Sequence, residues 1–185
     1  LLSYTNDGSA LEINVSERLG SIVEATCGSL GQALSVASGV SLTAKRLEKS
    51  YRSYVILGDG ELQEGQTWEA AMFAASHHLN NLCLIIDLNC LQVEGHTDKV
   101  LKMEPIDKKF EAFGWNTIMV DGHNFSDLRD AFTSASNELK KPTVLIAKTL
   151  VGKGCLSLEG QLSHNMILPQ NVAIRALEEL GERYD

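Results

Sequence analysis

"VILGDGELQEG", residues 55–65, joins a short apolar run to a turn in which two glycines flank an aspartate. A buried strand that ends in a glycine turn is how a phosphate-binding loop usually starts, because backbone N–H groups can then approach the anion closely. Such loops are normally neutral or basic. This one contains Asp59, Glu61 and Glu64 and no lysine or arginine, so we expect a phosphate to meet it through a bridging cation.

Composition indicates one α/β domain. The chain has 185 residues, of which 44% are hydrophobic and 22% charged, and this is enough for a single hydrophobic core. A net charge of −8 without a cluster of lysines and arginines argues against nucleic acid or an anionic membrane surface as a partner. No apolar run approaches the roughly 20 residues of a membrane helix, and no signal peptide is evident. We expect a cytoplasmic protein that acts on a small-molecule substrate.

The cysteines also indicate a cytoplasmic protein. Cys27, Cys83, Cys90 and Cys155 have neither the spacing of a zinc site nor the density of a disulfide-stabilised scaffold. Cys83 lies within an apolar run, and we expect the cysteines to be buried free thiols in a reducing compartment.

Apolar runs alternate with helical patterns along the chain, which predicts βαβ units and a mainly parallel sheet. Buried strands are expected at 54–57, 82–87, 117–120 and 143–147, and helices at 29–47, 125–139 and 171–180. A further helix between the first two strands is indicated by apolar residues at helical spacing, namely Trp68, Ala71, Met72, Ala75 and Leu79. Residues 1–20 have no clear period and are expected to be mostly loop.

Polar side chains follow the first two predicted strands. Asp59 and Asn89 are 30 residues apart, about the length of one βαβ unit, so both are expected at the same sheet edge, where ligands bind. Carboxylate and amide oxygens suit Mg²⁺ or Ca²⁺, and a site with one carboxylate is a good partial site when phosphate oxygens complete it. Each fragment alone is also an ordinary turn or strand exit. As a loop residue, Asp59 is expected at the surface.

Residues 58–95, GDGELQEGQTWEAAMFAASHHLNNLCLIIDLNCLQVEG, closely resemble the thiamine diphosphate motif of transketolases, which runs from GDG to a terminal asparagine. The segment ELQEGQTWEAAMFAA resembles transketolases rather than 2-oxo acid dehydrogenases or deoxyxylulose-phosphate synthases. The resemblance extends over about residues 20–154 through GSLGQALSVASGVSLTAKRL (28–47), VDGHN (120–124) and KPTVLIAKTLVGKG (141–154). It implies a three-layer α/β/α thiamine diphosphate-binding fold with a mainly parallel sheet.

The resemblance also implies a site, residue by residue. Asp59, Asn89 and the main-chain oxygen of Leu91 would hold Mg²⁺ or Ca²⁺. Thiamine diphosphate would be bound by Gly28, Leu30, Gly58, Asp59, Gly60, Glu61, Asn89 and Leu91. Two residues are expected to be catalytic. Glu64 matches a family glutamate near the cofactor and the subunit interface, and His164, in EGQLSHN, stands roughly where the family has a histidine between tryptophan and glycine.

One departure from the family concerns its Gly-Gly-His-Pro segment. Counting back from GSLG, this segment falls on residues 12–15, so Asn14 replaces a histidine that would face cofactor and substrate. An amide can donate a hydrogen bond but does not titrate near neutral pH. If the alignment has no gap there, proton transfer or phosphate recognition must differ from an ordinary transketolase.

Residues 1–185 are expected to form a single diphosphate-binding domain that lacks the family's N-terminal segment. The family also uses a pyrimidine-binding domain, whose glutamate contacts the cofactor, and no such domain fits in 185 residues. We therefore expect the N-terminal subunit of a split transketolase. It would transfer a two-carbon ketol unit only with a separate, pyrimidine-binding C-terminal subunit, in a heterotetramer of two such pairs.

Two other functions stay open at this stage. The chain is alternatively the subunit of a thiamine diphosphate-dependent decarboxylase or dehydrogenase, although the sequence after GDG argues against this. It is alternatively a non-catalytic cofactor-binding subunit, which the asparagine at position 14 keeps open.

Overall fold

Four parallel strands form the central sheet of the protein. The computed structural model describes residues 6–9, 11–14, 16–20, 22–164 and 167–181. Its strands are β1 (Ser53–Gly58), β2 (Leu82–Leu88), β3 (Leu91–Gln92), β4 (Gly95–His96), β5 (Asn116–Asp121) and β6 (Thr143–Lys148). The central sheet has the order β1-β2-β6-β5, while β3 and β4 form a separate antiparallel hairpin. Each of the four predicted strands lies within one of the observed parallel strands, so the predicted sheet is confirmed.

The register of the sheet brings its strand ends together. Gly58 pairs with Asp87, and Lys148 pairs with both Leu88 and Asp121. All four strands therefore end at one edge, because they run parallel. This is the edge at which open α/β sheets bind ligands.

Helices cover both faces of the sheet. They are α1 (Ala33–Arg46), α2 (Gly65–Ser76), α3 (Thr97–Val100), α4 (Ile106–Phe113), α5 (Phe125–Asn137) and α6 (Gln170–Glu179). Leu34 of α1, Ala71 of α2 and Phe110 of α4 belong to the core on one face, whereas Ala131 and Ala135 of α5 belong to the core on the other. The α/β/α fold class is therefore confirmed.

The central strand β2 explains why the sheet is covered on both sides. Leu84 and Ile86 join the core beneath α1 and α2, while Cys83 joins the core beneath α5. Successive side chains of a strand point to opposite faces, so an unbroken apolar run fits only a strand that is buried on both. Each fully buried leucine or isoleucine contributes about 1.5–3 kcal/mol relative to an exposed one.

The first helix begins later than residue 29, where it was predicted. Gly28, Ser29, Leu30 and Gly31 form a turn, and helix α1 starts at Ala33. Gly31 has a φ of +80°, which side-chain-bearing residues rarely adopt. The left-handed backbone at Gly31 therefore keeps this turn out of the helix and places it beside the acidic loop.

Several side chains and elements differ from expectation. Met72 of α2 is 46% exposed, so the apolar face of this helix is narrower than predicted. Cys83 and Cys155 are buried, but Cys27 and Cys90 are exposed, so the expectation that all four are buried is wrong. Helix α4 and the hairpin were not predicted, since both are too short to give a clear hydrophobic period. No helix in the described ranges is long and apolar enough to span a membrane.

Candidate active site

The acidic loop turns sharply where strand β1 ends. Asp59 follows β1 directly and caps a short 3-10 helix, Gly60–Gln63, by accepting a hydrogen bond from the Gly60 N–H at 3.0 Å. The Asp59 N–H donates to the Asp87 main-chain oxygen at 3.2 Å, which fixes the end of β1 to the end of β2. Asp59 is only 2% exposed, so the expectation that it lies at the surface is wrong.

Asp59 is buried because later residues fold over it. Its second carboxylate oxygen, Oδ2, accepts hydrogen bonds from the Cys90 N–H at 2.9 Å and from the Thr97 hydroxyl at 3.1 Å. Desolvation raises the pKa of the Asp59 carboxyl above its ordinary value of 3.8, because it outweighs the hydrogen bonds from Thr97, Cys90 and Gly60. The nearby Asp87 carboxylate raises this pKa further.

Asn89 occupies the neighbouring strand exit, as predicted. Its Nδ2 donates to Asp87 Oδ2 at 3.0 Å, and its Oδ1 accepts from the Leu91 N–H at 2.9 Å. Asp87 can only accept hydrogen bonds when ionised, so this contact orients the amide with its oxygen directed away from Asp87. The hydroxyl of Thr149 donates to the other oxygen of Asp87. Cys90, between Asn89 and Leu91, has a φ of +63°, an uncommon conformation that often occurs at functional sites.

The β3–β4 hairpin holds this turn against the acidic loop. Leu91 at its start was predicted as a site residue, but Gln92 and the following Thr97 were missed from the sequence. The Gln63 amide donates to Gln92 Oε1 at 2.6 Å, and the Thr97 N–H donates to the Cys90 oxygen at 3.0 Å. A Cβ atom on Gly60 would lie 2.9 Å from the Gln92 Cβ, so only glycine allows this approach. The only advance signal was the presence of polar side chains shortly after Asn89.

The glycine turn before α1 packs against the same loop. The Gly31 N–H donates to Glu61 Oε1 at 2.8 Å, and a Cβ on Gly31 would meet the Glu64 Cβ at 2.7 Å. Glu61 and Glu64, both predicted to be site residues, therefore lie beside this turn. Glu64 is exposed, and the side chain of Leu30 is 56% exposed.

Asn14 lies on the other side of the same turn. A Cβ atom added to Gly28 would stand 2.7 Å from the Asn14 Cγ, so the two residues are in close contact. The alignment of Asn14 with the family's histidine stays a prediction. Val15, the last residue of that segment, lies outside the described residues.

His164 lies beside residues 89–91, which we call the asparagine turn. It lines a cavity of about 190 Å³ together with Asn89, Leu91, Gln92, Val151, Gln161, Leu162 and Ser163. The structure thus brings His164 to two of the predicted metal ligands. A larger groove of about 790 Å³, between β5 and α5, contains none of the predicted site residues.

The donor set at this edge fits a hard divalent cation. Among the described residues, Asp59 forms no ion pair with a lysine, arginine or histidine, although a buried carboxylate normally requires a positive partner. No cluster of three or more histidine, cysteine, aspartate or glutamate side chains capable of holding a metal occurs in these ranges. A site here would therefore combine one carboxylate with neutral oxygens, an arrangement that suits Mg²⁺ bound together with phosphate.

Comparison with known proteins identifies the family. Residues 15–181 match the family model described as "Transketolase, thiamine diphosphate binding domain". The chain is 40% identical over 159 residues to the 6-deoxy-6-sulfo-D-fructose transketolase subunit SqwG of a Clostridium species, covering 85% of this chain and 58% of that protein. It is 43% identical over 155 residues to human transketolase, covering 83% of this chain and 24% of that protein.

A solved transketolase structure also resembles this chain. The crystal structure of transketolase from Campylobacter jejuni matches with a TM-score of 0.77 and 32% identity, covering 85% of this chain and 26% of that one. The chain thus spans little more than half of the subunit relative and about a quarter of the longer transketolases. Sequence, fold and family model agree, and the chain belongs to the transketolase family through its thiamine diphosphate binding domain.

Proposed function

We propose that this chain binds thiamine diphosphate through a divalent cation, Mg²⁺ or Ca²⁺, held by Asp59, Asn89 and the main-chain oxygen of Leu91. One observation carries the proposal. Asp59 is 2% exposed, accepts three hydrogen bonds and forms no ion pair among the described residues. A cation at its remaining lone pair would supply the missing positive charge and connect the acidic loop to the diphosphate.

The remaining predicted contacts surround this cation site. Gly58 and Gly60 flank Asp59, and we propose that the diphosphate contacts their backbone. Glu61 holds the turn that contains Gly28 and Leu30 in place. When bound, thiamine diphosphate supplies a nucleophilic carbon and an electron sink, which are the hard part of the chemistry. The role of this chain is to bind and orient the cofactor.

We propose that the reaction is the transfer of a two-carbon ketol unit by a split transketolase. Residues 1–185 would form its diphosphate-binding domain, and a separate C-terminal subunit would supply the pyrimidine-binding domain. The relative from Clostridium, whose name describes it as a transketolase subunit, supports this division. Two such pairs are proposed to assemble into a heterotetramer. The assembly would act in the cytoplasm.

Two side chains are proposed for catalysis. Glu64 is exposed beside the Gly31 turn and, among the described residues, its carboxylate forms no ion pair or hydrogen bond. It is thus free to face a partner subunit across the cofactor. His164 lines the cavity next to Asn89, and this supports the proposal that it contacts the bound donor. An imidazole can exchange protons near neutral pH, which Asn14 cannot do.

The donor is proposed to be a ketose phosphate or a related α-hydroxyketone or 2-oxo acid. The name of the Clostridium relative specifies 6-deoxy-6-sulfo-D-fructose, so a ketose with a sulfonate in place of the phosphate belongs in the donor screen. A non-catalytic cofactor-binding role is the second candidate. Asn14, which contacts Gly28, supports this role, because an asparagine in place of the family's histidine could not exchange protons near neutral pH.

The test reconstitutes the enzyme. This protein alone should show no ketol transfer, and addition of the pyrimidine-binding subunit should restore it with a ketose donor and an aldehyde acceptor. Activity of this protein alone would contradict the split arrangement. Release of carbon dioxide from 2-oxo acids without ketol transfer would indicate a decarboxylase, and tight cofactor binding without any turnover in the reconstituted pair would establish the non-catalytic role.

A further inference from the structure

The hydrogen bonds around Asp59 leave its two carboxylate oxygens unequal. Oδ1 accepts one bond, from the Gly60 N–H, whereas Oδ2 accepts two, from the Cys90 N–H and the Thr97 hydroxyl. Each oxygen of an ionised carboxylate has about two lone-pair positions. Oδ2 is therefore fully used, and Oδ1 has one position left for a further partner.

We infer that Thr97 makes Asp59 a ligand through one oxygen only and that it thereby selects Mg²⁺ over Ca²⁺ at this site. The inference rests on the metal site proposed above and adds a residue that sets its specificity. Thr97 itself would not touch the cation. It is a positioning residue that acts through Asp59.

Coordination chemistry connects the number of bound oxygens to the choice of cation. Mg²⁺ requires near-octahedral geometry with short bonds, while Ca²⁺ takes six to eight oxygens and readily binds both oxygens of one carboxylate. A carboxylate that offers one oxygen suits the first ion better. Asn89 Oδ1 also accepts one hydrogen bond, from the Leu91 N–H, so it too has a single position left.

Thr97 is well placed for this role because its own position is fixed. It is 8% exposed, it is the first residue of α3, and its N–H donates to the Cys90 oxygen at 3.0 Å. The Cys90 N–H donates in turn to Asp59. The two donors to Oδ2 therefore come from segments that are hydrogen-bonded to each other. The fold itself thus keeps both lone-pair positions of Oδ2 occupied.

The test compares three threonine variants in the intact protein, together with its partner subunit if cofactor binding requires it. Thr97→Val keeps the shape of the side chain but removes the donor, and Thr97→Ser restores it. Thr117→Val is the matched control, because the Thr117 hydroxyl is buried without a hydrogen-bond partner among the described residues. Titration calorimetry in the presence of thiamine diphosphate gives the dissociation constants for Mg²⁺ and Ca²⁺.

The ratio of the two dissociation constants is the decisive quantity. In Thr97→Val the preference should move toward Ca²⁺ by about tenfold, the factor that corresponds to one lost hydrogen bond to a charged acceptor. Thr97→Ser and Thr117→Val should keep the ratio of the unmodified protein. A role for Thr97 in folding alone would lower affinity for both cations equally and leave the ratio unchanged.

The outcomes separate the inference from the proposed function. An unchanged ratio in Thr97→Val, or an equal shift in Thr117→Val, would overturn the inference while leaving the metal site standing. If the unmodified protein and its partner bind neither cation with the cofactor, the proposed metal site fails and the inference fails with it. If Thr97→Val does not fold, Thr97→Ala removes the same donor with a smaller side chain and must give the same shift.

Discussion

Two aspartates lie where the two outer strands of the sheet, β1 and β5, reach the same edge, and their surroundings differ. Asp59, at the end of β1, is 2% exposed and accepts three hydrogen bonds. Asp121, at the end of β5, is exposed, and its carboxylate accepts one hydrogen bond among the described residues, from the His123 N–H at 2.9 Å. The strand exits are equivalent by topology, so the sheet alone does not create the site.

The difference comes from the segments that continue the chain beyond these strands. After β5 the chain goes directly into α5, which Asn124 caps. After β2, the neighbour of β1, it instead forms the β3–β4 hairpin and returns over Asp59 with Thr97. This cover removes water from one carboxylate and raises its pKa, while Asp121 stays hydrated. A strand exit becomes a candidate cation site when a later segment covers it without supplying a positive charge.

The largest expected effect tests this contrast directly. Asp59→Asn keeps the size of the side chain and an acceptor for part of its hydrogen bonds but removes the charge of the proposed ligand. Mg²⁺-dependent binding of thiamine diphosphate should weaken by at least roughly 100-fold. Even the loss of a residue that only hydrogen-bonds a metal ligand commonly lowers metal affinity 10–100-fold. Asp121→Asn is the matched control and should bind normally in the same calorimetric titration. Equal losses in both variants would break the comparison.

Asn89→Ala should have the next largest effect. It removes a neutral oxygen rather than a charge, so we expect affinity for Mg²⁺ with the cofactor to fall by about tenfold. The far-ultraviolet circular dichroism spectrum should stay unchanged, because β2 ends before this residue. A loss as large as that of Asp59→Asn would indicate that the charge of Asp59 is not the main source of affinity.

Asp87→Asn should have a smaller effect. The Asp87 carboxylate accepts from Asn89 Nδ2 and from the Thr149 hydroxyl, so it holds the Asn89 amide in one orientation. An amide at position 87 accommodates both orientations, and with half of the molecules oriented correctly the cation affinity falls about twofold. In an Asn89→Ala background the same change should add little. An undiminished effect there would mean that Asp87 acts through its charge on the cation instead.

How much of this was predictable differs between the two parts of the site. The four strands followed from apolar runs, and Asp59 and Asn89 could be placed together because parallel strands end at one edge. The burial of Asp59 beneath the β3–β4 hairpin and Thr97 was not predictable. Thr97 follows a two-residue strand, too short to show a period, and its hydroxyl reaches a residue 38 positions earlier. The burial of Asp59 depends on that long-range contact, which is why a loop position suggested a surface residue.

The smallest expected effect concerns stability without cation. The pKa of Asp59 is raised above 3.8 in the folded, cation-free protein. The folded state then binds more protons than the unfolded state, so the free energy of unfolding should fall as pH rises from 3.8 through the folded pKa. Urea denaturation from about pH 4 to about pH 7 should show a smaller decline for Asp59→Asn than for the unmodified protein. Identical pH profiles would argue that burial does not disfavour this carboxylate.

The central claim is that the covered aspartate, together with the asparagine turn, is the cation site. The most direct measurement is a crystal structure of the intact protein with its partner subunit, Mn²⁺ and thiamine diphosphate, with the metal located by its anomalous scattering. We expect one Mn²⁺ bound by Asp59 Oδ1, Asn89 Oδ1 and the Leu91 main-chain oxygen, in contact with the diphosphate. A cofactor bound without metal at this edge, or a metal bound away from Asp59, would contradict the account.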